Sequence, residues 1–266
     1  MSGANDNQPG NGPGGGGGGP KGPIRDTLRP PLPKRFYKEV MLRESPALAE
    51  GSFEVLLDGR AVRTPKKRVL VVPGEKIAQR VADEWIAQAD VIDPASMPMT
   101  RLVNSALDTV AENRAAVAAE VVAYAGSDLL CYRATNPAGL VARQEEIWDP
   151  ILSGVESAIG ARFVRIGGVN HAPQPEESLQ RVAAALTDLP DLPLAGLQLV
   201  TTLTGSAILA LAQIKGLLTA DEVWAAAHLD EDWQIAQWGH DEEAEARRAV
   251  QERDFRAAAA VLSALG

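Results

Sequence analysis

Between residues 34 and 72 the chain alternates apolar and polar positions with a period of two. In RFYKEV, Phe36, Lys38 and Val40 fall on one side and Tyr37 and Glu39 on the other, which predicts a strand. Phe53, Val55 and Leu57 share a face of SFEVLLDGRAVRTP, and Asp58-Gly59 supplies the residues a tight hairpin turn demands. Thr64-Pro65-Lys66-Lys67 then turns the chain into a short β-branched run at 69–72. The pattern predicts three or four antiparallel strands. After Pro73-Gly74 the period changes: Ile77, Val81 and Trp85 recur every fourth residue beside Ala78 and Ala82, so a helix is expected over 75–89 with Trp85 on its buried stripe.

Punctuation at Ile92-Asp93-Pro94 and Met97-Pro98 marks a domain boundary, and the sequence beyond it reads mainly as helix. Thr100 can cap a helix whose face carries Val103, Ala106, Leu107 and Val110, and Val117, Val121 and Tyr124 continue the pattern to Gly126. Residues 161–169 look extended. The run 192–214 has no formal charge and is long enough to span a bilayer, but Gln198, Thr201, Thr202, Thr204, Ser206 and Gln213 favour a buried core helix ending at Gly216. Gly205-Ser206-Ala207 would let another helix approach it. The expected class is therefore α+β: residues 34–95 form a small antiparallel β domain with one helix, and residues 96–266 a larger, mainly helical domain.

Composition trims this picture. Residues 1–33 are a Gly- and Pro-rich stretch with too little apolar surface to offset the entropy of ordering, and a disordered tail is expected. This start lacks both the apolar core of a secretory signal and the Arg content of a mitochondrial presequence, so a cytoplasmic protein is expected. The net charge of -9 disfavours a nucleic-acid partner. A single cysteine, Cys131, and scattered histidines at 171, 228 and 240 leave no metal-binding spacing, and no cofactor fingerprint is present. Arg60, Arg63, Lys66, Lys67 and Arg68 cluster on the hairpin, either as a solvated edge, which is favoured, or as an anion patch.

The most unusual chemistry lies at 219–248, which holds three of the five tryptophans and, between positions 230 and 245, seven carboxylates without a Lys or Arg. Thr219 and Glu222 fit a capping box. Treated as one helix, the stretch puts Trp224, Ala227, Glu231, Ile235, Trp238 and Glu242 on one stripe and Ala226, Leu229, Trp233 and Ala236 nearly opposite. Adjacent acids such as Glu231-Asp232 or Glu242-Glu243 point about 100° apart and do not converge on one substrate atom, which weighs against a small acid/base hydrolase or lyase. Interleaved tryptophans favour a protein-binding surface, set against a plain solvated face balanced by Arg247 and Arg248.

Several motifs, in order, resemble the family of assembly chaperones for the α subunit of the F1 sector of ATP synthase: KRFYKEV, LDGRAVRTPKK, Glu84-Trp85 with RLVNSALD, GSDLLCYRA, WDP, LTGSAILALA and LDEDWQIAQWGHDEE. The resemblance implies a two-domain chaperone without cofactor or turnover, whose partner is the F1 α subunit; a monomer without stable membrane insertion is expected. It further implies functional weight on Trp85 and on an acid near Trp238-Gly239, with Glu242 as the aligned residue and Glu243 and Glu231 as its neighbours.

Overall fold

The computed structural model describes residues 31–45, 50–168, 172–239 and 241–264. Most of the Gly- and Pro-rich tail, His171 and His240 lie outside the described residues. β1 (Val40–Glu44) pairs antiparallel with β2 (Ser52–Leu57), placing Val40 opposite Leu57 and Glu44 opposite Phe53. β2 turns into β3 (Arg60–Ala61) and pairs through its first half with β4 (Val71–Pro73). The turn residues Asp58 and Gly59 adopt φ of 47° and 78°, the sign a two-residue hairpin needs.

The first strand begins at Val40, later than the alternation in RFYKEV suggests. The Asp58 carboxylate accepts the N–H groups of Lys38 (3.0 Å) and Glu39 (2.8 Å), so these amides serve the hairpin turn instead of a ladder. Upstream, Arg35 N–H donates to the Asp90 carbonyl and Ile92 N–H to the Pro33 carbonyl, stitching the chain's start to the segment beyond the first helix. That helix, α1 (Glu75–Ile86), buries Ile77, Ala78, Val81 and Ala82, as its period predicts. It stops short of 89, where the Gln88 side chain takes over by donating to the Glu84 carbonyl and accepting from Asp93 N–H.

The remainder is mainly helical, as the sequence predicts. α2 (Pro98–Ser105) runs through a π-helical turn, Ala106–Val110, into α3 (Ala111–Gly126). β5 (Tyr132–Arg133) and β6 (Ile166–Gly167) form a short parallel pair around α4 (Ala138–Ile159), and α5 (Glu176–Leu186) follows. The uncharged run forms two helices, α6 (Asp191–Thr204) and α7 (Ala207–Ile214), instead of one. Gly205, at φ 67°, ends the first, and Ser206 Oγ caps the second by accepting Leu209 N–H. Both are buried core helices, and among the described residues no helix is long and apolar enough to cross a membrane. The close helix approach falls at Gly196, where a Cβ would sit 3.4 Å from the Ala258 carbonyl oxygen. The final helices are α8 (Ala220–Ala227), α9 (Leu229–Trp238) and α10 (Glu242–Ser263).

Two polar junctions tie the sheet and α1 to the helices. Glu84 reaches the start of α2, accepting Met99 N–H (2.6 Å), Thr100 N–H (2.7 Å) and the Thr100 hydroxyl (2.7 Å). Thr100 is thus a partner in this cap, and the cap itself comes from another helix. Asp108 accepts the Thr64 hydroxyl (2.7 Å) and Lys66 N–H (2.9 Å). A third junction lies inside the helical body: Asp128, fully buried, accepts Leu130 N–H (3.0 Å), the Ser206 hydroxyl (2.7 Å) and Ile208 N–H (2.9 Å).

Candidate functional site: the acidic corner of α9 and α10

The capping box at Thr219 and Glu222 is formed as the sequence predicts. The single helix drawn through 219–248 is not. His228 ends α8, its Nδ1 2.8 Å from the Trp224 carbonyl oxygen, and Gly239 ends α9 with φ 89° and ψ -178°, a conformation essentially confined to glycine. These two breaks dissolve the long stripe. Trp224 turns inward, 4.9 Å from the Phe255 ring and 3.9 Å from His228. Glu242 opens the next helix.

Within α9 the division into two sides holds for Leu229 and Trp233 against Glu231 and Trp238, but not for the next pair: Ala236, expected on the packed side, is exposed, and Ile235, expected to face outward, is partly buried. Leu229 is buried, and the Trp233 indole lies over α4 so closely that a Cβ at Gly139 would come within 2.7 Å of its Cη2. Gln144 Nε2 donates to Asp230 (2.7 Å), a second tie between α4 and α9. Facing outward, Glu231 is exposed and Trp238 is 80% exposed. Beyond Gly239, Asp241 caps α10 by accepting Glu243 N–H (2.9 Å), and Glu242, Glu243 and Glu245 occupy the first turn, where the helix dipole favours negative charge.

Cations answer part of this charge. Arg247 pairs with Glu243 at 2.6 Å, and Arg248 pairs with Asp232 at 2.5 Å. The bond to Asp232 raises the Arg248 pKa further above its ordinary value, against the effect of its partial burial. Glu231 and Glu242 have no ion pair among the described residues.

Trp85 sits elsewhere, on α1, and is half-buried, less than its place on the apolar stripe suggests. Its ring meets Tyr37 edge-on at 5.7 Å, the Tyr37 hydroxyl donates to the Trp85 carbonyl (2.6 Å), and its own Nε1 is buried without a hydrogen-bond partner. Burial raises the Tyr37 pKa, with Arg35 opposing.

The hairpin cations are largely engaged. Lys66 pairs with Glu112 at 2.5 Å and donates to the Asp108 carbonyl, Arg68 also pairs with Glu112, and Arg63 donates to the Lys67 carbonyl. This is a clasp onto α3, and it leaves little of an open anion patch. At Asp108 burial works to raise the carboxyl pKa, but Lys66 N–H, the Thr64 hydroxyl and the charges of Arg68 and Lys66 hold it below its usual range. Burial wins at Glu84, whose pKa is raised against three hydrogen bonds, and at Asp128, which is pushed up to about 6. Neither Glu84 nor Asp128 stands out in the sequence, because each acts on a segment distant along the chain.

A small antiparallel sheet clasped to a mainly helical body is an α+β architecture that solved structures share. The chain shares 47% identity and a TM-score of 0.83 with the crystal structure of an Agrobacterium tumefaciens protein, over 92% of each chain. With the crystal structure of Atp12 from Paracoccus denitrificans it shares 38% identity and a TM-score of 0.79, over 88% of this chain and 99% of that one. The mitochondrial protein atp12 of Schizosaccharomyces pombe is 25% identical over 227 residues, 80% of this chain and 78% of that protein. Residues 34–156 match the family model described as ATP12 chaperone protein. The chain belongs to the ATP12 chaperone family and is a chaperone of ATP synthase assembly.

Proposed function

We propose that this chaperone acts as a cytoplasmic monomer that binds the α subunit of the F1 sector, covering the surface meant for the β subunit until β arrives, without turnover. The observation that carries this reading is Trp238, 80% exposed at the end of α9, with the exposed acids Glu231 earlier on that helix and Glu242 at the start of α10. A tryptophan left in water supplies a ready anchor, because large aromatics dominate binding energy at interfaces. The carboxyls displaced from their ordinary pKa at Glu84, Asp108 and Asp128 support a non-catalytic role, since each is tied to backbone or hydroxyl donors of the fold. Glu243, paired with Arg247, contributes less to the client than Glu242 does.

The test is retention of tagged F1 α and β subunits by the purified chain. The expected result is retention of α alone, with Trp238→Ala costing about 2 kcal/mol, roughly a 30-fold loss. Glu242→Lys should weaken retention while the thermal unfolding curve stays in place. Retention of β instead, or full suppression of α aggregation by Glu242→Lys, would overturn the assignment.

A further inference from the structure

We propose that the cleft between α1 and the C-terminal half of α10 docks a carboxylate-bearing segment of the same client, a second contact that rests on the client reading above. The cleft has a volume of about 770 Å3. Its accessible apolar lining is Ala220, Ala260 and Ala264 over the buried Ile77 and Ala259. Of its charged lining, Lys76 and Arg80 outnumber the single acid Glu75 on α1, and Arg256 faces it from α10. Lys76 and Arg80 stand one turn apart, exposed, and carry no ion pair among the described residues. Of the neighbouring cations, Arg101 pairs with Asp254 and Arg256 with Asp221 and Glu252, while Arg253, further along α10, has no ion pair among the described residues and adds to the positive charge at this end. In a chain of net charge -9, two unmatched cations beside an apolar cleft select for carboxylates, because complementary charge steers encounter and fixes register.

Helix α10 joins this cleft to the acidic corner. Glu242 and Ala260 are separated by a whole number of helical turns and therefore share a face, roughly 27 Å apart along the axis. Ala249 and Arg253, both exposed, lie between them near the same line. A client laid along α10 meets negative charge at the helix start and positive charge at its far end. The segment that enters the cleft is accordingly acidic, with an apolar side small enough to rest on alanine.

The test uses the full chain and isolated F1 α subunit as the probe, with Lys76→Glu/Arg80→Glu, Lys76→Arg/Arg80→Lys, Gln79→Trp and Glu242→Lys measured side by side. All four variants change exposed residues, so unfolding curves should match the parent. The charge reversal and the cleft-filling tryptophan are expected to weaken α binding roughly tenfold or more, and the charge-conserving pair to bind as the parent does. Normal binding by the reversal and Gln79→Trp, with loss in Glu242→Lys, overturns the cleft and leaves the client reading intact. Loss in Gln79→Trp alone overturns the acidic character assigned to the occupant. No binding of α by the parent chain removes the client reading and the cleft proposal together.

Discussion

Removing the Asp128 carboxylate tests the junction on which the helical body turns. Asp128 is fully buried and accepts two backbone amides, Leu130 N–H at 3.0 Å and Ile208 N–H at 2.9 Å, together with the Ser206 hydroxyl at 2.7 Å. In Asp128→Ala the hydroxyl can rotate to another acceptor, but the two amides cannot follow. Each orphaned buried amide costs about 1–3 kcal/mol, so a loss of about 3–5 kcal/mol is expected near pH 4, where the wild-type carboxyl is protonated but still placed among its donors.

The pH dependence gives a second, independent reading. Burial pushes Asp128 up to about 6, against about 3.9 in an unfolded chain, so the fold binds this proton more readily than the unfolded state does. Stability from this group is complete below the unfolded pKa and is lost as pH rises through about 6. By linkage the advantage of wild type over Asp128→Ala should narrow by about 2 kcal/mol between pH 4 and pH 7. Urea unfolding followed by tryptophan fluorescence measures both effects, since Trp148 and Trp224 are buried reporters. A variant within 0.5 kcal/mol of wild type at pH 4, or a gap that widens with pH, would refute the reasoning.

Three further perturbations follow from the packing. Trp85→Ala should lower stability by about 2–4 kcal/mol, somewhat below the cost of deleting a fully buried tryptophan, because part of the residue stays in solvent; an unchanged melting curve would contradict it. Gly139→Ala should destabilise by about 1–2 kcal/mol as the new methyl displaces the Trp233 indole, and adding Trp233→Leu should recover most of the loss in the same denaturation assay. Gly239→Ala places a side chain at φ 89°, ψ -178° and should cost about 1–3 kcal/mol, visible as a lowered thermal midpoint.

Local pattern was enough to read the hairpin at Asp58-Gly59 and the body of α1, because each is a short-range regularity of period two or period four; it misplaced the first strand, since the alternation in RFYKEV lies almost wholly ahead of β1, whose flanking amides are taken by Asp58. It failed where one residue in a continuous pattern changes the direction of the chain. Gly205 divides an uncharged run that reads as one helix, and His228 and Gly239 divide another that reads as a two-sided stripe. At the acidic corner the sequence correctly put Leu229 and Trp233 on the packed side and Glu231 and Trp238 on the other, since these lie within one unbroken helix, α9. Trp224 and Glu242 were misplaced because they lie beyond its ends. No signal in the chain could announce that Glu84 caps a helix beginning at Pro98, or that Asp128 would meet Ser206, as both depend on how distant segments pack.

The motifs behind the family resemblance also fit together as pairs. Thr64 and Lys66 of LDGRAVRTPKK bind Asp108 of RLVNSALD, and Asp128 of GSDLLCYRA binds Ser206 and Ile208 of LTGSAILALA. Glu84 of the Glu-Trp pair holds Met99 and Thr100, just ahead of RLVNSALD, and Trp148 of WDP donates to the Ala226 carbonyl. In each of these the chemistry is consumed within the fold, so the residue types are accounted for by stability alone. LDEDWQIAQWGHDEE differs: Leu229, Asp230 and Trp233 are spent on packing against the body, while Glu231, Trp238 and Glu242 face solvent. Substitutions in the paired motifs should therefore register first in unfolding curves, and substitutions of these three outward residues first in client retention.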